Sequence, residues 1–467
     1  MVVSRFVVYA IGFTCIMVGG AAFSQGFSSG VAETDCPGPM TTYPFPIVLR
    51  GASEMYGVRT DRVSALRYQA GKWSPVAVQV DEINQAGDYV LENGLPFTAG
   101  TGDGLYNGQD ELSFEGPSLG EDFEVAAIPR EILAEGGRFW KIRMCSGRRY
   151  YGSLLIWQQD VSLAPGAVFT GVSKAMDDVL LEPAVHFDDS LSQIKSDIYR
   201  YEFNERNPVL LGQVWLQGSD KTEYQIIERS SFVMPLRLPW WVPDFTLADA
   251  NFKSTIECWR SGPVRTIVAV GVKFRNFLSL FNLHMFSELV FYRNKFQVPT
   301  AIQFSYDPSA YLKPGSGLFY SLTFPNGRSW DIETNLPDMP AKSASEIRLS
   351  GQTAAGNEVF YARGSRPEGA FVVNVRVDPV ARKQVPPPYI VRQWMFKDDT
   401  YKALWTDLVA PGGDLGVYLD ISGVRTGTYD FGLDLLLSRE ADQIVHDYGS
   451  VEARWMQLKI AAGPPAK

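Results

Sequence analysis

Residues 75–81, PVAVQVD, set Val76, Val78 and Val80 against Ala77, Gln79 and Asp81. A repeat of two is what an extended chain needs to present one apolar face and one mixed face, whereas a helix would need a repeat near 3.6. Short apolar or alternating runs recur along the chain: FWKIRM at 139–144, SLLIWQQDV at 153–161, VRTIVAVGVKF at 264–274, ELVFY at 288–292, AIQFSY at 301–306, GLFYSLTF at 317–324, AFVVNVRV at 370–377, YIVRQWMF at 389–396 and LGVYLDI at 415–421. Turn formers separate them, such as Pro-Gly-Ser-Gly at 314–317 and Pro-Asn-Gly at 325–327. Long helical periodicity is nearly absent. The expectation is an all-β, multi-domain antiparallel β-sandwich with few short helices, and a large supersandwich as one form the centre can take.

Phe277, Leu278, Leu280, Phe281, Met285 and Leu289 fit either a helical stripe or a strand with its hairpin neighbour, so 277–289 stays open between the two. Composition divides the chain into an N-terminal sandwich region over 25–165, a central sheet region over 166–340 and a C-terminal β region over 341–467. The last boundary follows the polar stretch PDMPAKSASE. No repeat of 20 to 50 residues appears, which argues against propellers and solenoids.

Residues 1–24 read as a secretory signal: Arg5, an apolar run from Phe6 to Val18, then small residues with Ala22 and Ser24 at the −3 and −1 positions. The apolar run is about 13 residues, short of the roughly 20 that span a bilayer. Export to the periplasm or the cell exterior is therefore expected. Loss of the signal removes Arg5 alone from the charge count, 43 basic against 52 acidic side chains in the full chain. An acidic chain without a basic run argues against nucleic acid and against electrostatic docking on anionic lipid. Three cysteines follow the signal, Cys36, Cys145 and Cys258. In an oxidising compartment Cys36 and Cys145 form the favoured pair, since the Asp-Cys-Pro-Gly-Pro segment gains most from tethering; three unpaired thiols are the alternative.

The run GTGDGLYNGQDELSFEG at 100–116 mixes glycines with hard oxygen donors. Placing Asp103 first in an EF-hand-like loop puts Asn107 fifth, Gly108 sixth and Glu111 ninth, but Leu105 and Phe114 fall where ligands belong, so an EF-hand is rejected. Two readings remain: a looser structural calcium site built on Asp103, Asn107, Asp110 and Glu111, or a turn whose Asp and Asn side chains cap their own backbone. No cofactor is required by any motif.

PVAVQVDEINQAGDYV at 75–90, followed by NGQDELSFEGPSLG at 107–120, resembles a segment of uncharacterised secreted β-sandwich proteins of Gram-negative bacteria, in which a PVQVDE strand precedes an acidic Gly-rich turn and a DELxF strand. SGPVRTIV at 261–268 resembles the GPVR strand of the same proteins and of sandwiches with the galactose-mutarotase-like fold, many of which act on or bind polysaccharides. The resemblance implies a fold and a carbohydrate connection, and it assigns no catalytic residue.

The chain has three histidines, His186, His284 and His446, and no HExxH or GxSxG arrangement. The densest group of acid–base side chains is Asp177, Asp178, Glu182, His186, Asp188 and Asp189, which is a candidate catalytic cluster or a solvated acidic loop. Trp240 and Trp241 stand between prolines, where regular strand pairing does not hide both rings; they are candidate ligand contacts or core plugs. The expected function is an exported cell-envelope protein that binds or processes carbohydrate. The competing class is a non-enzymatic envelope or assembly protein whose aromatic loops dock on a membrane or a protein partner.

Overall fold

The valine alternation at 76–80 is extended, but the chain changes sheets in the middle of it. Lys72–Val76 pairs with Val63–Gln69 at the edge of one sheet, while Val78–Asp81 pairs with Glu111–Glu115 in another. Pro75 lacks an N–H and suits an edge position, and the change of partner comes at Ala77. All three valines remain buried.

The computed structural model describes residues 15–16, 40, 42–85, 87–94, 102–134, 137–146, 149–158, 185–188, 190–218, 220–238, 245–249, 252–274, 284–304, 307–310, 312–325, 331–334, 360–366, 369–392, 415–439 and 452–457. Its strands form five sheets, and every ladder between them is antiparallel. Helices are short, as at Arg130–Ala134 and at Pro379–Arg382, where Asp378 accepts from the Val380 and Ala381 N–H groups. The open segment at 277–289 is strand from His284, within His284–Tyr292; residues 277–283 lie outside the described residues.

A ten-stranded sheet organises the rest. Its central order runs Gly369–Val377, Gly427–Ser438, Lys295–Phe304, His284–Tyr292, Arg265–Phe274 and Phe252–Ser261. One face is apolar: Val268, Val270, Leu289, Phe291, Phe296, Val298, Leu435, Val373 and Val375 share a single core with the five-stranded sheet of 186–227 and with the sheet containing Gly317–Thr323 and Leu415–Asp420. This is the largest apolar cluster among the described residues, and a second large one unites the N-terminal sheets with Ala370, Val372 and Leu436 of the large sheet. The other face is mixed. The three-stranded sheet of Pro46–Arg50, Glu111–Glu115 and Val78–Asp81 lies against part of it, with Ile83, Tyr89 and Val48 packed on Ile267, Val290 and Tyr292.

The compositional boundaries near 165 and 340 fall outside the described residues, and sheets join strands from both sides of them. Glu452–Gln457 pairs with Arg138–Ser146, and Asn93–Gly94 pairs with Phe252–Ser261.

Cys145 is disulfide-bonded, whereas Cys258 is a free, buried thiol. Cys36 lies outside the described residues, but Met40, a few positions later, makes a parallel bridge to Tyr150, the cross-strand partner of Cys145. Peptide mapping without reduction is expected to recover Cys36 joined to Cys145, with Cys258 alkylated only after unfolding. A crosslink through Cys258 would contradict this placement. Closing a loop of this length contributes about 5 kcal/mol, which reduction should remove from the urea-unfolding free energy.

Candidate functional site

The three motifs noted in the sequence meet at one buried guanidinium. Arg265, in the GPVR segment, is fully buried. Its Nε donates to Asp81 Oδ2 at 2.7 Å, one terminal nitrogen to Glu111 Oε2 at 2.8 Å and the other to the Tyr292 hydroxyl at 2.9 Å. Tyr89 donates its hydroxyl to Glu111 Oε2 at 2.7 Å, and its ring lies 5.3 Å from the guanidinium carbon. Gln79 fixes the approach: its Oε1 accepts from the Val264 and Arg265 N–H groups at 3.1 and 3.0 Å, and its Nε2 donates to Asp81. Gly262 is required beside it, since a Cβ there would stand 2.2 Å from Gln79 Oε1.

Burial opposes the charge on Arg265, and Asp81, Tyr292, Tyr89 and Glu111 together outweigh it, holding the guanidinium's pKa well above its ordinary value. Glu288 sits in the same layer, fully buried, accepting from the Tyr89 N–H at 2.9 Å. Burial, with Asp88 and Glu111 nearby, pushes its carboxyl up to about 8, so it is protonated at neutral pH. This cluster is closed to solvent and reads as a lock between the N-terminal strands and the large sheet.

The lock grades into a more open site along the same face. Cross-strand register sets Ile267, Val290, Gln297, Asp434 and Asn374 in one row. Tyr292 donates to Gln297 Oε1 at 3.2 Å, and Gln297 donates to Asp434 Oδ1 at 3.1 Å. Asp434 also pairs with Arg376 at 3.0 Å and with Lys295 at 3.5 Å. Burial lowers the Lys295 pKa, and Asp434 works against that shift. The Arg376 and Lys295 side chains are 20% and 13% exposed, so solvent reaches this end while it does not reach Arg265. Asn374 is buried and its Oδ1 accepts no hydrogen bond among the described residues. An unmet acceptor beside two cations and a carboxylate can receive a hydroxyl donor from a ligand.

The residues singled out from the sequence are placed differently. In the acidic loop, Asp103 Oδ1 accepts from Leu105 N, Asn107 Oδ1 from Gln109 N, and the two Asp110 oxygens from Ile83 N and Asn107 N, at 2.8 to 2.9 Å. These are self-capping turn bonds, and Glu111 points away into the Arg265 lock; a calcium ion would have to displace them. Burial pushes Asp110 up to about 6. No group of three or more metal-ligating side chains is assembled among the described residues. His186 is exposed on a short strand. Asp188 caps the following turn, where bonds from Ser190, Gln193 and Ser192 outweigh burial and pull its carboxyl down to about 2. Asp177, Asp178, Glu182, Asp189, Trp240 and Trp241 lie outside the described residues. The Asn374, Asp434 and Arg376 cluster was not singled out, although Asn374 and Arg376 interrupting AFVVNVRV on one side of the strand are its visible signal.

No family model matches the chain, and no curated protein matches it. Among solved structures, an α-mannosidase from Enterococcus faecalis V583 is similar at 9% identity and a TM-score of 0.36 over 89% of this chain and 44% of its own. A glycosyl hydrolase family 38 protein from Enterococcus faecalis gives 9% and 0.36 over 90% and 46%. A protein described as an aldose 1-epimerase from Escherichia coli K12 gives 9% and 0.29 over 53% and 98%. The chain spans less than half the length of both Enterococcus proteins. At these scores the likenesses define neither an activity nor a ligand for this chain.

Two substitutions test the lock. Arg265→Leu leaves Glu111 buried without a cation and Asp81 with only Arg260, at 3.6 Å, and a loss of about 3–5 kcal/mol is expected in urea unfolding. Glu288→Gln tests the buried acid. The folded carboxyl holds its proton to about pH 8, whereas an unfolded glutamate releases it near pH 4.3. The native protein therefore loses stability relative to Glu288→Gln as pH rises through that window, by about 1 kcal/mol per pH unit, and the difference levels off on either side. A pH-independent difference would contradict the protonated state.

Proposed function

We propose that this protein is exported and binds carbohydrate along the mixed face of its large sheet, beside the Arg265 lock. The observation that carries the reading is the buried Asp434 held by the part-exposed Lys295 and Arg376, next to the unmet Asn374 Oδ1. A sugar presents adjacent hydroxyls that both donate and accept. A carboxylate flanked by a guanidinium, an ammonium and two amides can meet such hydroxyls in pairs, with the charged partners making the stronger bonds. The secretory signal read at residues 1–24 supports export, and the GPVR resemblance supports a mutarotase-like sandwich in a carbohydrate context. Trp240 and Trp241 enter as further aromatic contacts. Calcium at Asp103, Asn107 and Asp110 enters as an added stabiliser of the neighbouring loop.

Affinity electrophoresis through gels containing soluble polysaccharides tests the reading. Retardation of the parent protein is expected, weakened about tenfold in Asn374→Ala, as for loss of one hydrogen bond to a polar ligand. Asp434→Asn should weaken it further, with circular dichroism confirming that each variant is folded. Migration unaffected by every polysaccharide, together with liposome flotation that Trp240→Ala/Trp241→Ala abolishes, would instead support the envelope-docking role.

A further inference from the structure

The five-stranded sheet of 186–227 turns its other face away from the core. Ile194, Tyr199, Tyr201, Val214 and Leu216 point inward to the shared core, so the residues between them point outward. Register aligns these outward positions in two cross-strand rows. Gln193, Glu202 and Gln213 face one another in the first, and Lys195, Arg200, Trp215 and Gln225 in the second. The Arg200 guanidinium carbon stands over the Trp215 ring, 4.6 Å from its centroid. It is held there by Glu223, at 2.9 Å from Nε, and by an ion pair with Glu202. Lys195 and Glu223 are exposed, and the remaining outward positions are half-buried.

We infer that this face is a second glycan-binding surface, one that takes a linear, uncharged polysaccharide chain. It rests on the same carbohydrate reading but uses none of the residues of the Asn374 row. Lys195 and Arg200 are balanced by Glu202 and Glu223, so the face offers no net field to a polyanion or to an acidic lipid surface. A protein partner would need an apolar centre, and Trp215 is the single apolar outward side chain in the two rows. What the rows do present is the side-chain amides of Gln193, Gln213 and Gln225 around the Arg200 guanidinium, which covers the Trp215 ring and is tied to Glu202 and Glu223. Each amide offers a donor and an acceptor at once, the pattern that hydroxyl pairs of an extended sugar chain require. Adjacent strands lie about 4.8 Å apart, comparable with the length of one sugar ring, so successive residues of the chain meet successive strands. Ion pairing of Arg200 with Glu223 and Glu202 holds the platform in place before a ligand arrives, which lowers the ordering cost of binding.

The test compares the parent protein with Trp215→Ala, Gln213→Ala and Asn374→Ala in gels containing neutral mannan, neutral β-glucan or anionic pectate. Retardation of the parent in at least one neutral gel and none in pectate is expected. Trp215→Ala should lose about tenfold in affinity and Gln213→Ala somewhat less, with Trp215→Phe recovering part of the loss and unchanged thermal melts showing intact folding. If retardation falls in Asn374→Ala but not in the two sheet-face variants, the Asn374 row binds glycan and this inference is wrong. If it falls in the sheet-face variants alone, the inference stands and the Asn374 row does not bind. A parent that passes through every neutral gel unretarded overturns both.

Discussion

A guanidinium removed from water is tolerable only where carboxylates and hydroxyls replace its hydration, and that condition at Arg265 shapes this molecule. Arg265 is fully buried, and its partners come from Val78–Asp81, Glu111–Glu115 and His284–Tyr292, segments far apart in sequence. Moving any of these strands by one residue would turn a partner to the other side of its sheet. The cluster therefore acts on register more than on net stability, because buried ion pairs contribute little beyond their own desolvation cost yet are expensive to break. Gln79 extends the constraint to the backbone by accepting from two successive N–H groups of the GPVR turn.

From that lock the mixed face of the large sheet continues through Tyr292 and Gln297 to Asp434. Hydrogen bonds link these three side chains, but access changes along them. At Arg265 each guanidinium nitrogen has a carboxylate or hydroxyl partner and solvent is excluded, while Glu111 Oε1 and Glu288 Oε2 in the same layer accept no hydrogen bond among the described residues. At the other end Lys295 and Arg376 are partly exposed, and the buried Asn374 Oδ1 is left without a donor among the described residues. One polar stripe thus serves packing at one end and can serve recognition at the other. The apolar side of the same sheet leaves no such option, since its valines, leucines and phenylalanines are shared with two further sheets.

Period-two alternation made the all-β architecture legible, and runs such as 264–274 and 370–377 match strands closely. It misled in one respect. In Glu111–Glu115 the glutamates and serine alternate with Leu112 and Phe114, a pattern that suggests one solvent face, yet all five residues are buried. The polar face is covered because its partner, Arg265, arrives from a strand about 150 residues away, and no local pattern encodes so distant a match. The quoted segments around Gln79, Asp81, Glu111 and Arg265 carried the signal only as separate short motifs. The QVWLQ strand was overlooked for a related reason: its outward Gln213, Trp215 and Gln217 acquire meaning only when Arg200 and Glu202 of the neighbouring strand are placed beside them. The acidic loop drew attention by composition, but its oxygens are engaged by nearby N–H groups.

Hydrogen–deuterium exchange read by mass spectrometry measures the central claim directly. If Arg265 binds the N-terminal strands to the large sheet as one cooperative unit, peptides spanning 78–90, 110–116 and 262–270 should exchange together, at the slow limit set by global unfolding. Early exchange across 78–116 while 262–304 stays protected would show that the N-terminal strands open independently, and would contradict the lock.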